Sequence, residues 1–498
     1  MMPRVTDPFA GLEPAAFWRH FEALTRIPRA TYEEEQVAAH VLAWAAERRL
    51  ATRRDAAGNL VVNVPATPGR EGAPTVVLQG HLDMVCERDP DSPYDPRAGR
   101  IGVVRDGDWL RAEGTTLGAD NGVAIAAMLA LADDPEAPHG RLELLMTVAE
   151  EVGMAGAAKL APELMTGTVL LNLDSEEDAT FTVGCAGGVD SVLRLEARRE
   201  PVDGAAALRV TVSGARGGHS GGDIALGRAN AIKVLGRVLG AAPDLRIASL
   251  DGGASRNAIP RDATALVIAD GHARELIEAA AEQVMRAYKT TDPGVRIAID
   301  AAARRPAGDP GVSLDAAVQA PHDAWTADAS ARMLDLIATL PAGPLAMSAD
   351  FPGIVETSSS LGVAESENGR LTLCCLSRSA NDAAMPDVTG AIAAAGRLAG
   401  AEVELGGAYP GWRPDLDSQA LATAKTVHER LFGAAPHVTL THGGLETAII
   451  GAKRPELDML SFGPQIEGPH APGERLHVGS AGRFMRLLAA LVDELARP

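Results

Sequence analysis

Residues 75–80 (TVVLQG) form an apolar, β-branched run that offers water no polar face. A strand of this kind has to be covered on both sides, which points to a layered α/β sheet rather than a sandwich with one wet face. The run stops at His81, and the same texture returns at 142–148 and 169–173, each time followed at once by acidic residues: Glu150 and Glu151, then Asp174. Between these runs the apolar spacing is helical, over 17–50, 122–131 and 155–160, with a turn and short strand at 55–64. The order predicts a β/α array whose loops at Asp83, Asp120, Glu150 and Asp174 leave the ends of buried strands, the usual place for chemistry in open α/β sheets.

After Gly187 the pattern changes to longer alternating strands (207–213, 263–269, 295–301) separated by helices (230–239, 273–289). A second set of similar elements follows: helix 329–339, strands 353–357 and 370–377, helix 387–398 and strand 401–405. From Ser418 amphipathic helix returns at 421–431, and helix 480–496 closes the chain. A chain of 498 residues exceeds what one hydrophobic core holds, roughly 250–300 residues. The expected organisation is an α/β domain in two parts, 1–186 and 407–498, with an inserted α+β domain, an internal duplication, at 187–406.

The net charge of −20 argues against nucleic-acid or anionic-membrane partners, whose phosphates an acidic surface repels. The start, MMPRVTDPFAGLEPAAFW, lacks the continuous apolar stretch of an export signal, and no apolar run reaches the roughly 18 residues of a membrane span. Four cysteines, two of them the adjacent Cys374 and Cys375, do not make a disulfide scaffold or a thiolate zinc site. These features predict a soluble cytoplasmic protein.

His81 and Asp83 form a His-x-Asp beyond a strand. An imidazole that ligates a dication has its other nitrogen held by a carboxylate or carbonyl, the service Asp83 is placed to give, although alone the pair reads equally well as structural. Asp120 and Asn121, in GTTLGADNGV, sit where a helix N-cap or a metal ligand would. Glu150 and Glu151 follow an apolar strand among glycines, where two like charges are costly unless cations compensate them. Asp174 closes the next strand, and His470 lies in a loop bounded by proline and glycine, FGPQIEGPHAPGE. Nitrogen and oxygen donors without thiolates suit zinc, cobalt or manganese.

Together the motifs GHLDMV, GADNGVA, AEEVGM, LNLDSEE, GGHSG and GPHAPGE resemble those of the M20 metallopeptidase family, and within it the branch that cuts free dipeptides. The resemblance spans nearly the whole chain. It implies a zinc-exopeptidase-like catalytic domain with two divalent ions, zinc first among them, bridged by Asp120 and a water. Glu151 and His470 would hold one ion and His81 and Asp174 the other, with Glu150 as general base and Asp83 supporting His81. Two dications against three carboxylates leave one positive charge, which favours ionisation of the bridging water.

The same resemblance makes the inserted domain at 187–406 a lid and dimerisation domain, and gives His219, in VSGARGGHSGGDI, the stabilisation of the tetrahedral oxyanion, reached across a homodimer formed through that lid. Asn257 and Arg378 would grip the substrate's backbone and terminal carboxylate, Arg through two parallel hydrogen bonds. His442 and Glu446, in THGGLET, belong near the substrate in this reading. The implied reaction is hydrolysis of unblocked dipeptides, those ending in histidine among them. A carboxypeptidase or an N-acyl amino-acid deacylase of the same family would share every metal ligand, and a metal-binding homologue without activity would not need Glu150. At 355–362 the chain has VETSSSLG where a polar segment with Asn is expected.

Overall fold

A computed structural model describes residues 7–202, 206–302 and 321–497. The first six residues of the stretch read for an export signal lie outside this set. The chain divides into two compact units, one of Met1–Gly184, Trp412–Leu440 and Leu445–Pro498, the other of Cys185–Gly411 with Thr441–Gly444.

The first unit is built on an eight-stranded sheet in the order Ala51–Arg54, Leu60–Val64, Leu142–Thr147, Val76–His81, Val169–Asn172, Asp458–Ser461, Thr180–Cys185, His437–Thr441. Strand Val76–His81 runs parallel to both of its neighbours, and Asp458–Ser461 runs parallel to Val169–Asn172. All six residues of Val76–His81 and of Leu142–Thr147 are buried, as their unbroken apolar texture requires. Helix Ala119–Asp133 is apolar on every side and buries nearly all of its length, with helix Ala15–Leu24 against it. Phe17, Trp18 and Phe21 of that second helix, with Phe9, form an aromatic cluster. Each fully buried Leu or Phe of such a core contributes roughly 2 kcal/mol through the apolar surface it removes from water.

The expected helical stretch 17–50 is two helices, Ala15–Leu24 and Glu35–Glu47, split by the loop that carries Arg29, and its last residue leads directly into strand Ala51–Arg54. A separate four-stranded sheet, Ile466–Glu467, Arg475–His477, Trp109–Ala112, Val103–Asp106, ties the loop holding His470 to the strand that precedes the Asp120 loop. Arg475 lies over the Trp109 ring at 4.4 Å, which fastens that junction.

In the second unit one sheet runs Arg296–Ala302, Ala207–Ser213, Ala263–Ile268, Arg246–Gly252, Val355–Glu367, Arg370–Ser379, Gly187–Glu196, Glu402–Tyr409. Its topology falls into two β-α-β-β-α-β sets. The first comprises strands 207–213, 246–252, 263–268 and 296–302 with helices Ala231–Leu239 and Gly271–Ala287. The second comprises strands 187–196, 355–367, 370–379 and 402–409 with helices Ala327–Thr339 and Met385–Ala399. The first set is nested inside the second, after its opening strand, and the two sheets join where Gly252 pairs Ala364. One core, including Val210, Leu235, Ile277, Ile337, Leu373 and Ile392, unites residues from both sets. Three of the four helices start at side-chain caps, from Asn230, Asp270 and Thr326. Strand Glu402–Tyr409 continues past residue 406, so the chain leaves this unit later than the sequence pattern suggested.

Candidate active site

The first unit gathers His81, Asp120, Glu150, Glu151, Asp174 and His470 from strand ends or the loops after them, with Glu150 and Glu151 sharing one turn. Three overlapping groups have donor atoms within 4.8 Å of one another: His81, Asp120 and Asp174; Asp120, Glu151 and His470; and His81, Glu150 and Glu151. Asp120 belongs to the first two. Its Oδ1 lies 3.0 Å from His81 Nε2 and its Oδ2 lies 3.0 Å from His470 Nε2. His81 Nε2 is also 3.6 Å from Asp174 Oδ1, and His470 Nε2 is 3.0 Å from Glu151 Oε2. One carboxylate therefore shows one oxygen to each of two imidazole–carboxylate pairs.

Supporting side chains set this arrangement. His81 Nδ1 lies 3.1 Å from the Asp83 backbone carbonyl and 3.5 Å from its carboxylate, which leaves Nε2 facing the cluster. The Asp83 carboxylate also accepts from the backbone N–H groups of Glu150 and Glu151, at 3.0 and 3.2 Å, and from the Thr31 hydroxyl. It therefore fixes the acidic turn as well as the histidine. That turn contains Ala149 at φ +50° and Met154 at φ +58°, and His470 itself sits at φ +63°. Left-handed backbone at non-glycine residues costs energy and persists where surrounding contacts enforce it, commonly at functional sites.

Asp120 and Asn121 are not caps. Their backbone is non-helical, the peptide between them is cis, and the capping falls to Glu474, whose carboxylate accepts from the N–H groups of Leu117, Gly118, Ala119 and Asp120 at 2.7–3.2 Å. Asn121 accepts from the His81 N–H through Oδ1 and donates from Nδ2 to the Leu173 carbonyl, joining three ligand loops. A side chain at Gly80 would strike this Asn121 oxygen at 2.3 Å, so the Gly of GHLD leaves room for it. Buried Arg29 donates to the carbonyls of Leu82, Asp83 and Gly118, cross-linking the first two loops. No role for Arg29 or Glu474 is visible from spacing, because the groups they satisfy are backbone atoms; only the place of Glu474 inside the GPHAPGE segment marks either of them.

The electrostatics describe a site short of cations. Burial alone would lower His81, but Asp174, Asp120 and Asp83 hold it well above the usual imidazole range. Hydrogen bonds from His470 to Asp120 and Glu151 raise it to about 11. Burial raises Asp174 to about 6, Glu150 well above the carboxylate range, and Glu176, which Asp120 and Asp174 also push, to about 8. Asp120 is lowered: burial opposes its charge, and the two histidines outweigh that burial. Protons thus occupy the cluster where cations would balance it, and the buried Glu151 Oε1 has no hydrogen-bond partner. The donor set fits two divalent ions, with Asp120 shared between His81 and Asp174 on one side and Glu151 and His470 on the other.

Ligand deprotonation gives a testable sign. His470, held at about 11, must lose a proton to bind metal, and His81 is shifted in the same direction, so metal uptake at pH 7 releases protons and apparent affinity rises with pH across the range 6–8. A pH-stat titration of the chelated protein with zinc checks this; uptake without proton release contradicts it.

The second unit brings together most of the remaining predicted residues. His219 lies on strand Gly218–His219, paired with Ala258–Ile259, and Ser220 N–H donates to the Asn257 carbonyl, placing those two segments side by side. His219 Nε2 is 3.3 Å from Arg378 Nη2, and Arg378 Nη1 donates to the Tyr409 hydroxyl at 2.8 Å. Arg378 is 4 % exposed, and its Nε has no hydrogen-bond partner. His442 Nε2 lies 2.7 Å from the Ser358 hydroxyl, and burial, with Arg378 nearby, lowers its pKa to about 4, so the ring is neutral. Two of the unexpected serines are buried partners, Ser358 with His442 and Ser359 with Ser377, while the Ser360 hydroxyl is buried without a hydrogen-bond partner. Asn257 is exposed. Glu446, expected near the substrate, belongs to the first unit and is fully buried, with its carboxylate accepting from Gln79 and Thr147. A side chain enclosed by the sheet has no surface to offer a substrate.

A β/α sheet with paired imidazole–carboxylate sites around one shared aspartate fits a two-metal hydrolase. Residues 77–494 match Peptidase family M20/M25/M40, and the chain belongs to that family. It is 37% identical over 97% of its length to the cytosol non-specific dipeptidase of Escherichia coli (strain K12), covering 98% of that protein. The crystal structure of aminoacylhistidine dipeptidase from Vibrio alginolyticus superposes with a TM-score of 0.84 at 34% identity, with 99% of each chain covered. Aminopeptidase PepT from Bacillus cereus, at 16% identity and a TM-score of 0.57, shares the fold over 98% of this chain.

Proposed function

We propose that this chain is a dinuclear metallo-dipeptidase that hydrolyses the peptide bond of free dipeptides. The observation that carries the reading is Asp120, with one oxygen toward His81 and the other toward His470. Zinc is the ion proposed, with cobalt and manganese as substitutes in assay. When bound, the ions supply Lewis acidity at the scissile carbonyl and acidify the attacking water. Glu150 takes the water's proton as its oxygen bonds to the carbonyl carbon, then gives that proton to the amine nitrogen as the C–N bond breaks.

The second unit supplies the substrate side. His219 donates to the oxyanion of the tetrahedral intermediate, in the active site of the other subunit of a homodimer. Arg378 holds the substrate's carboxylate, with Asn257 on its backbone and His442 shaping the pocket. The buried guanidinium of Arg378, with Nε unpartnered, supports an anion-binding role, since such a group is costly unless a ligand completes it. Exposed Leu226, Leu345 and Met347 on the second unit support self-association through this unit. The names of the Escherichia coli and Vibrio relatives support dipeptides as substrates, and the first supports a cytoplasmic location. Among the described residues no helix is long and apolar enough to cross a membrane.

Arg378→Ala is expected to lower kcat/KM for free dipeptides by about 100-fold, the loss of about 3 kcal/mol from a charged bidentate contact, and to affect substrates amidated at the carboxyl end far less. Equal losses on both substrate types contradict the carboxylate anchor. A panel of dipeptides, tripeptides and N-acyl amino acids tests the substrate class: cleavage confined to free dipeptides is expected, and cleavage only of acylated or longer substrates contradicts it.

A further inference from the structure

A buried ladder of side-chain hydrogen bonds crosses the first unit's sheet directly beneath the site. Ser175 Oγ lies 2.8 Å from Ser461 Oγ, Ser461 donates to Asn172 Oδ1, and Asn172 Nδ2 donates to Gln79 Oε1 at 2.6 Å. Gln79 Nε2 donates to Glu446 Oε2 at 2.6 Å and to Thr147 Oγ1 at 3.2 Å, while the Thr147 hydroxyl donates to the same Glu446 oxygen at 2.6 Å. Gln79, Thr147, Asn172, Ser461 and Glu446 are all 0 % exposed.

The ladder visits the strands of this sheet that lead to every ligand loop except that of Asp120. Gln79 precedes His81 by two residues and so shares its face of the strand. Asn172 stands in the same relation to Asp174, Thr147 ends the strand that leads to Glu150 and Glu151, and Ser461 ends the strand that leads to the His470 loop. Valine or leucine would fill these positions in a buried sheet at no polar cost, so the polar set needs a reason beyond packing. Every donor in the ladder points the same way, toward Glu446. Gln79 and Thr147 both donate to its Oε2, so that oxygen accepts and fixes which way the Gln79 amide faces, and through Gln79 the orientation of Asn172.

We infer that Glu446, Gln79 and Asn172 are positioning residues that lock the ligand-bearing strand ends into one register, so that both halves of the metal centre are formed together. This rests on the two-metal reading above, and cobalt(II) binding to the chelated full-length protein separates the two. The wild type is expected to take up two cobalt ions with a defined d–d absorption spectrum; failure to bind overturns the metal reading and this inference with it. Gln79→Leu and Glu446→Leu are expected to weaken cobalt binding by about 10–100-fold, the usual cost of losing support behind a ligand, and to alter the spectrum. Glu446→Gln, which keeps an acceptor for both donors, is expected to stay within about threefold of the wild type. Thr147→Val, nearly isosteric, is the fallback if the leucine variants do not fold, with a weakening of about threefold or more expected. Wild-type affinity and spectrum in the folded leucine variants, or in Thr147→Val if those do not fold, would make the ladder purely structural even where the melting temperature falls. Glu446→Gln as weak as Glu446→Leu would replace positioning by charge, and either result overturns the inference.

Discussion

Glu150→Gln is expected to lower kcat for a dipeptide by about 10³-fold, or about 4 kcal/mol of transition-state stabilisation, while leaving metal content at the wild-type level. The amide matches the carboxylate in shape but cannot take a proton from the attacking water. The groups assigned to the ions, Asp120 with His81 and Asp174 and Asp120 with Glu151 and His470, are untouched by the substitution. KM should change little, because proton transfer is made in the transition state and not in substrate binding. Steady-state kinetics alongside elemental analysis of the purified variant checks both halves. Full turnover with two ions bound removes Glu150 from the mechanism, and loss of an ion makes it a ligand.

Asp120→Ala acts differently, because it removes the group common to both half-sites. Two dications would then face only Glu151 and Asp174 as charged partners, and mutual repulsion of the ions grows as the shared negative charge disappears. The expected result is loss of at least one ion at micromolar free metal and a fall in kcat/KM of about 10⁴-fold or more. Elemental analysis with the same assay measures it. Two ions retained at wild-type affinity would show that Asp120 is not shared.

The metal ligands were legible because each is a chemically distinctive residue set immediately after a buried strand, and strands such as TVVLQG announce themselves by composition. Their supports were not. Glu474 acts on four backbone N–H groups more than 350 residues away in sequence, and Arg29 on three carbonyls, so neither leaves a spacing signal. Glu446 shows the opposite failure. Its THGGLET segment drew attention, yet the side chain turns into the sheet toward Gln79 and Thr147 rather than outward.

Fold was read unevenly for similar reasons. Strand Ala207–Ser213 alternates strictly and has the limits expected of it, whereas the loop 25–34 within the first helical stretch keeps enough apolar residues to hide the break. The nesting of the two α+β sets depends on strand Gly187–Glu196 pairing with Arg370–Ser379, nearly two hundred residues later. Periodicity reports local faces and carries no information about which distant strand becomes a neighbour.

A dinuclear centre is tested by stripping the protein with chelator and titrating zinc back while following release of amino acids from an unblocked dipeptide. Activity should vanish on chelation and return to a plateau at two equivalents of zinc per chain. Undiminished hydrolysis in the stripped protein, or a plateau at one equivalent, would contradict a dinuclear centre built around Asp120.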